Sequence, residues 1–455
     1  MKKSLFFAML ILIPLSAVAQ QALCGVSTMC GSDQAAENPV YSINVSGVVS
    51  GLSGKGPKTL IVNECDISEK KVRSIAELDS AGRFDVDIPF FYGHTFTINF
   101  NRWLFINAYA EPGDSVFVSI DASKSPVEFH LGGDHARLNE EYSHAYYDLS
   151  PINNDVTLLP DSAALSVYMP KFKEEVGRIR KIVDRYIEEK SLMPETAELL
   201  HLDNIFIPAN QAIGFEGKGL DEQIAFFTDP IFDIFNERNH KVMIFPYHLS
   251  ALMQRNPELV NTVPKSVVRD LMYATLKDAE APARDEFENT AYYDRLYTDM
   301  PERQIDFSKL KAGNIVVIEN DMAYNVGDVN PVEWLKERFP NRPVYLDVSA
   351  TWCGPCRAGI LSGEGVRQYF SGSDIVFAVI WLQSNLESLK EFVPGIHNAV
   401  HIFIPDNDMS NRIMDILHQR NFPSYYFIDR EGEISSENIP HFNDPQLVEF
   451  LQSKK

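Results

Sequence analysis

The stretch LDVSATWCGPCR, residues 346–357, decides how the last third of this chain folds. Two cysteines, Cys353 and Cys356, stand two residues apart, with Gly354 and Pro355 between them. The apolar run before them predicts a buried strand, and a helix is expected to begin at the cysteines, because proline suits the first helical turn. This spacing is compatible with a redox dithiol or with part of a metal site.

A metal site is the weaker interpretation. Structural zinc commonly has two cysteine pairs, or one pair with two histidines, as its four ligands. The chain has no second Cys-x-x-Cys, and Pro394 and Gly395 disfavour a helix that would bring His397 and His401 together. A c-type haem would need histidine directly after the second cysteine, where arginine stands. We therefore predict no metal.

A redox dithiol fits the local physics. A thiolate of Cys353 at the start of a helix would face unpaired backbone amides and the positive end of the helix dipole, which stabilise an anion. Cys356, one turn further on, would be shielded yet close enough to form a disulfide. Asp347 on the strand could exchange a proton with Cys356, because burial raises the pKa of a carboxyl group. Asp347 could also be only a hydrogen-bonded residue at the end of the strand.

Strands and helices alternate around this motif. The runs NIVVIE, DIVFAVIWL and SYYFIDREGEI predict strands, and NPVEWLKERF, NLESLKEFV and DMSNRIMDILHQ predict helices. The segment RAGILSGEGVRQYF predicts the helix after the cysteines, although its glycines weaken the pattern. Such alternation predicts an α/β sheet with helical crossovers over residues 307–455.

At this point the chain resembles a known family. The cysteine segment is similar to the active-site segment of thioredoxin-like proteins, and Asp347 falls on the position of their buried aspartate. The segment RNFPSYYFIDREG, residues 420–432, is similar to the one that carries their cis-proline. The resemblance implies that Pro423 is cis and lies opposite the cysteines, which leaves the backbone of Phe422 free to pair with an incoming peptide.

The chain also has a long insert between the two motifs and an N-terminal stretch typical of exported proteins. In these features it resembles the TlpA/ResA-like branch of exported thiol–disulfide oxidoreductases. The resemblance covers roughly the last third of the chain. It implies catalytic roles for Cys353, Cys356 and Asp347, and substrate contacts from Trp352, Gly354, Pro355, Phe422 and Pro423. Family members that face the membrane often have Glu and Pro shortly after the second cysteine. Gly359 and Leu361 stand there in this chain, which argues against a role in cytochrome c maturation.

The resemblance implies an exported enzyme that reduces disulfides of periplasmic proteins, with the Cys353–Cys356 disulfide as its redox centre and no other cofactor. Gly-Pro between the cysteines is the thioredoxin dipeptide, and it implies a potential nearer to about −270 mV than to about −120 mV. The expected partners are a protein disulfide and an unidentified membrane or periplasmic reductant. A disulfide oxidase or isomerase is one alternative, and a binding or sensing protein with a supporting thioredoxin-like domain is another. The sequence leaves the substrate and the oligomeric state open.

Residues 1–19 predict a signal peptide. Two lysines precede an apolar run, Leu5–Leu15, that is too short to span a bilayer comfortably, and Ala17 and Ala19 supply a cleavage site. The residues before Cys24 and Cys30 are larger than those that usually precede a lipid-attachment cysteine, which disfavours a lipoprotein. We therefore expect a periplasmic location. The five cysteines are an odd number, so at least one thiol has no partner within the chain, and the fates of Cys24, Cys30 and Cys65 stay open.

The regions before the dithiol differ from it in pattern. Residues 20–39 are small and polar and predict a flexible tether. Residues 40–133 alternate as half-buried strands do and predict an all-β, sandwich-like domain, with a hairpin at residues 79–82 in which Gly82 takes positive φ. Residues 134–306 carry helical apolar stripes and predict a helical middle region. The strand-rich part resembles a β-domain of unknown function that precedes TlpA-like domains.

The charge of the chain limits the classes of partner. Acidic residues outnumber basic ones, 63 to 41, and the net charge is −22. Nucleic acid and anionic membrane surfaces repel such a protein, so neither is predicted as a partner. The hydrophobic content of 45% is ordinary for a globular, multidomain chain with buried cores.

Overall fold

The computed structural model describes residues 41–52, 59–63, 73–100, 104–153, 155–276, 281–297, 305–308, 310–311, 313–419, 421–442, 444 and 446–454. Tyr41–Lys455 form one compact unit. The predicted signal peptide, the predicted tether and Cys24, Cys30 and Cys65 lie outside the described residues. Within the ranges just given, the structure has no helix with the length and apolar character needed to cross a membrane.

The strand-rich part contains β1 Ser42–Ser50, β2 Thr59–Asn63, β3 Arg73–Glu77, β4 Arg83–Pro89, β5 His94–Asn99, β6 Phe105–Ala110, β7 Ser115–Asp121 and β8 Glu128–Gly133. They form two four-stranded sheets, in the orders β4-β1-β7-β8 and β3-β2-β5-β6. Buried side chains alternate with half-buried ones along β1, as the sequence pattern predicts. Val45 and Val118 of the first sheet share one core with Phe96 and Ile106 of the second, so the sheets pack face to face.

The hairpin predicted at residues 79–82 is wrong. Gly82 has a positive φ of 74°, as expected, but the strands on its two sides, β3 and β4, belong to different sheets. The turn connects two strands that lie in different sheets, so these strands do not pair with each other. An alternating pattern around a turn predicts both arrangements equally, because strands that change sheet have the same local sequence requirements.

The middle region is helical. It contains α1 Ala136–Asn153, α2 Leu165–Lys190, α3 Pro194–Gln211, α4 Leu220–Phe227, α5 Phe245–Arg255, α6 Val267–Ala274 and α7 Thr290–Tyr297. The apolar stripe predicted for α2 faces the core through Phe172, Val176, Ile179 and Val183. Side chains from all seven of these helices contribute to one apolar cluster.

The C-terminal part is built on β9 Ile315–Glu319, β10 Met322–Val326, β11 Val344–Ser349, β12 Val376–Trp381, β13 Val400–Phe403, β14 Ser424–Ile428 and β15 Ile434–Ser435. Their order in one mixed sheet is β10-β9-β13-β12-β11-β14-β15. The central strands β11, β12 and β13 are parallel, and β14 runs antiparallel to β11. The helices are α8 Pro331–Arg338, α9 Gly354–Ser362, α10 Glu364–Tyr369, α11 Leu386–Phe392, α12 Asn407–Ile416 and α13 Gln446–Gln452.

Strand β11 is buried on both faces, because the sheet has a separate apolar cluster on each side. Tyr345 belongs to one cluster, whereas Leu346 belongs to the other. The single helix predicted after the cysteines is instead two helices, α9 and α10, with Gly363 between them. A Cβ at Gly363 would lie 2.3 Å from Cδ1 of Phe442, so the chain uses glycine where the ring packs.

The β-sheet part and the C-terminal part share a core. Ile61 of β2 is buried within the cluster on one face of the C-terminal sheet, and Ile75 of β3 packs against the same cluster. The hydroxyl of Tyr369 on α10 donates a hydrogen bond to the carboxylate of Glu77. The two parts thus pack against each other, and the division into domains at residues 133 and 306 stays a prediction.

Candidate functional site

Cys353 and Cys356 form a disulfide where β11 runs into α9, with an S–S distance of 2.03 Å. Cys353 is the residue before the helix, and its Sγ accepts a hydrogen bond from the backbone amide of Cys356 at 3.3 Å. Gly354 and Pro355 are the first two helical residues, and both are exposed. The pair thus lies at a helix N-terminus after a buried strand, where amide dipoles stabilise a sulfur anion.

Access to the two cysteines is limited in the disulfide form. Cys353 is only 5% exposed and Cys356 is fully buried. Phe422 packs against the small cluster that Ala350, Cys353 and Cys356 form, and so contributes to the low exposure. The small exposed part still belongs to Cys353, and an attacking sulfur can reach the disulfide only there without a structural change.

Two aromatic side chains flank Cys353. Trp352 is 65% exposed, and its Nε1 donates a hydrogen bond to the carbonyl of Gln383 at 2.9 Å. Its ring meets that of Phe422 edge to face, with centroids 5.7 Å apart. The Phe422–Pro423 peptide bond is cis, as the resemblance implied, and both residues are partly buried. The structure therefore places Trp352, Gly354 and Pro355 next to the cysteines in sequence and packs Phe422 against their cluster, with Pro423 following Phe422 across the cis bond.

The segment after β12 belongs to the same site, and the sequence interpretation missed it. The amide of Thr351 donates to Ser384 Oγ at 2.9 Å, and the amide of Asn385 donates to Thr351 Oγ1 at 3.3 Å. These bonds tie the loop after β12 to the loop before Cys353. The signal that could have found it is topological, because the carboxyl ends of neighbouring parallel strands meet at one edge of a sheet.

Asp347 lies on β11 and is completely buried. Ser349 Oγ donates to its Oδ1 at 2.5 Å, and among the described residues its Oδ2 has no hydrogen-bond partner. Burial raises the pKa of Asp347 to about 7, although the Ser349 hydrogen bond and the Arg367 charge both lower it. The carboxyl group can therefore gain or lose a proton near neutral pH.

Arg367 is a buried cation that the sequence interpretation also missed. It stands on α10, is 1% exposed, and donates to the carboxylate of Glu364 at 2.6 Å. It further donates to the carbonyls of Ile360 at 2.7 Å and His397 at 2.8 Å. Arg367 thus holds the end of α9 in place and lends a positive charge to the surroundings of Asp347.

Comparison with known proteins gives partial matches only. No protein-family model and no curated protein matches this chain. The thioredoxin domain of a thiol-disulfide oxidoreductase from Bacteroides vulgatus is 13% identical, and the match covers 32% of this chain and 97% of that one with a TM-score of 0.24. A thioredoxin-family thiol:disulfide interchange protein from Chlorobium tepidum is 15% identical, with 31% and 98% covered and a TM-score of 0.23.

A third solved structure is a secreted Mycobacterium tuberculosis disulfide oxidoreductase homologous to Escherichia coli DsbE. It is 16% identical, and the match covers 29% of this chain and 87% of that one with a TM-score of 0.22. These structural neighbours are thiol-disulfide oxidoreductases of the thioredoxin family, and each match covers about a third of this chain. With similarity this low, a function for this chain has to come from its own site.

Proposed function

We propose that this protein is a thiol–disulfide oxidoreductase. The observation that carries the proposal is the Cys353–Cys356 disulfide at the N-terminus of α9, which Phe422 covers while Cys353 keeps the only exposed part. The buried Asp347 carboxyl on the preceding strand adds a group that can exchange protons near neutral pH. A disulfide, a helix N-terminus and a proton acceptor are the parts that dithiol chemistry needs.

In the reaction, the thiolate of Cys353 attacks one sulfur of a substrate disulfide. The substrate S–S bond breaks, its other sulfur leaves as a thiolate and takes a proton, and a mixed disulfide with Cys353 remains. Cys356 then gives its proton to the carboxylate of Asp347, and its thiolate attacks Sγ of Cys353. The second substrate sulfur leaves, so two electrons have passed to the substrate and the Cys353–Cys356 disulfide has formed.

We propose the reducing direction, with protein disulfides as substrates. The surface available to a substrate combines exposed Trp352, Gly354 and Pro355 with the partly buried Phe422 and Pro423. The Gly-Pro dipeptide favours a reducing potential by its resemblance to thioredoxin. The export signal proposed for residues 1–19 places the substrates in the periplasm, where an unidentified membrane or periplasmic reductant restores the dithiol.

The test is to measure insulin reduction and the redox potential of the Cys353–Cys356 pair. We expect activity in the wild type, loss of turnover in Cys353→Ser, and a stable mixed disulfide with substrate in Cys356→Ser. A potential near that of oxidising proteins would favour the oxidase or isomerase alternative. A wild type that neither reduces insulin nor exchanges with any protein disulfide would contradict the proposal, and would leave the binding or sensing alternative.

A further inference from the structure

Tyr425 stands on β14 directly opposite Asp347 of β11. Side chains at opposite positions of an antiparallel pair lie on the same face of the sheet, with Cβ atoms about 5 Å apart. Tyr345, two residues before Asp347 on the same strand, shares that face and packs in one cluster with Ile360 of α9. The phenol of Tyr425 and the carboxyl of Asp347 therefore occupy the layer between the sheet and the helix that carries the cysteines.

Gly359 makes room for the phenol in this layer. It lies three residues after Cys356 on α9, and residues at this spacing share one helix face. A Cβ at Gly359 would lie 3.2 Å from Oη of Tyr425, closer than most Cβ contacts. The rings of Tyr345 and Phe442 contact Tyr425 from its other sides, with centroids 5.9 Å and 6.1 Å away. The hydroxyl is thus held against the helix at the position of the absent side chain.

Asp347 has little else to stabilise its charged form. It is completely buried, and in the part of the chain that the structure describes only Ser349 donates a hydrogen bond to it. The charged or titratable groups that face it are Arg367 from α10, Tyr345 from its own strand and Tyr425 from β14. In the reduced protein, Cys356 adds a further titratable thiol on the face of α9 that it shares with Gly359.

We propose that Tyr425 is a positioning residue for the proton transfer from Cys356 to Asp347. Because Gly359 has no side chain, the Tyr425 hydroxyl can lie where its O–H dipole stabilises the carboxylate. This inference rests on the proposed function. In the step, the proton leaves Sγ of Cys356 and binds the Asp347 carboxylate, and the bond from oxygen to hydrogen in the phenol stays intact. Tyr425 stays neutral because burial and the Asp347 charge raise its pKa.

The first experiment compares Tyr425→Phe with Tyr426→Phe in the full-length protein. The titration of Asp347 is followed by carboxyl-carbon NMR in the disulfide form, which needs no substrate. Loss of the O–H dipole beside the buried carboxylate should raise the Asp347 pKa by about one unit in Tyr425→Phe. Tyr426 lies one residue away on the opposite face, where its hydroxyl donates to the Leu417 carbonyl at 3.0 Å, so its variant should leave the titration unchanged.

The second experiment is a double-mutant cycle with Gly359→Ala. In the wild-type background, the new methyl group displaces the Tyr425 hydroxyl and should raise the Asp347 pKa by a smaller amount in the same direction. In the Tyr425→Phe background the contacting oxygen is gone, so Gly359→Ala should add no shift. An unchanged Asp347 titration in Tyr425→Phe, or equal effects of Gly359→Ala in both backgrounds, would overturn the inference.

The kinetic readout links this contact to catalysis. In Tyr425→Phe, the pH profile of mixed-disulfide decay should move upward by the same amount as the Asp347 titration. A shifted titration with an unmoved profile would also overturn the positioning role, because the contact would then be only structural. If the wild type shows no disulfide exchange at all, the proposed function fails, whereas the NMR titrations still report on the Tyr425–Asp347 contact.

Discussion

The chemistry of Asp347 is set by what surrounds it. A carboxyl group in water is fully ionised near neutral pH, but burial raises the pKa of Asp347 to about 7. The Ser349 hydrogen bond and the Arg367 charge work against this rise, so both forms of the carboxyl are populated near neutrality. A group with that balance can take a proton from a neighbouring thiol and release it again in the next turnover.

The variant Asp347→Asn tests this role. It should slow the decay of the mixed disulfide by about 100-fold, because the proton acceptor for Cys356 is lost, while attack by Cys353 on substrate changes little. Wild-type decay should accelerate as the pH rises through about 7, where Asp347 ionises, and the variant should lack that rise. The measurement is single-turnover kinetics over a range of pH. Unchanged decay would leave Asp347 with a structural role only.

Phe422 controls access to the sulfurs. Limiting iodoacetamide should label Cys353 of the reduced protein before Cys356, which is fully buried in the disulfide form. Phe422→Ala should accelerate labelling of Cys353 several-fold, because the ring packs against the cluster that contains the cysteines. Phe339→Ala is the control, since Phe339 packs in the neighbouring cluster without contacting the cysteines. Mass spectrometry of the adducts identifies which cysteine is labelled first. Labelling of Cys356 before Cys353 would contradict the assigned roles.

At the scale of elements, the sequence predicts what local patterns determine. The apolar run of β11, the helix start at Cys353 and the strand after Pro423 follow from periodicity, proline placement and the two motifs. The local pattern predicts the positive φ of Gly82, but it does not predict which sheet the next strand joins. The hydrogen bonds from the loop after β12 and the helix break at Gly363 depend on residues distant in sequence, which no local pattern contains. The buried Arg367 has partners near in sequence, but it also bonds the carbonyl of His397, which is 30 residues away.

The break between α9 and α10 gives a prediction of its own. Gly363→Ala places a Cβ 2.3 Å from the Phe442 ring, so the ring or the helix has to move. Overpacking of this kind costs about 1–3 kcal/mol in the free energy of unfolding. Gly372→Ala is the matched control, because no atom lies within 4 Å of a Cβ built there. Urea unfolding of both variants measures the difference, and equal midpoints would mean that the junction adapts freely.

Across the whole molecule, buried carboxyl groups couple stability to pH. Asp203 in the helical part is almost fully buried and accepts a hydrogen bond from the Tyr142 hydroxyl at 2.7 Å, and burial raises its pKa to about 7. Its folded-state pKa lies above the unfolded value. The folded protein therefore binds the Asp203 proton more tightly than the unfolded chain, and this proton binding stabilises the fold. The contribution is complete below the unfolded pKa of about 4 and is lost as the pH rises toward about 7.

Replacing this carboxyl with a neutral amide should remove that pH dependence. Asp203→Asn should raise the Tm relative to wild type at about pH 8, where the buried carboxylate is charged, and should raise it less or not at all at about pH 4. The exposed Asp328→Asn serves as the control and should give the same small difference at both pH values. Thermal unfolding over this range is the measurement. Parallel Tm curves for wild type and Asp203→Asn would show that Asp203 is ionised in the folded protein throughout.

The shared core between the β-sheet part and the C-terminal part gives the last prediction. Ile61 is 3% exposed and packs among side chains of the C-terminal cluster, so its truncation leaves a cavity there. Ile61→Ala should lower the free energy of unfolding by about 2–5 kcal/mol. It should also accelerate amide hydrogen exchange in α10, because α10 contacts β3, the strand next to the one that carries Ile61.

Ile43→Ala is the matched control, because Ile43 is 1% exposed and belongs to the core between the two small sheets. It should destabilise the protein by a similar amount without selective exchange in α10. If the parts unfold as one cooperative unit, Ile61→Ala also lowers the stability of the segment that carries Cys353 and Cys356. Faster exchange confined to β2 and β3 in Ile61→Ala would instead show that the C-terminal part is stable without this contact.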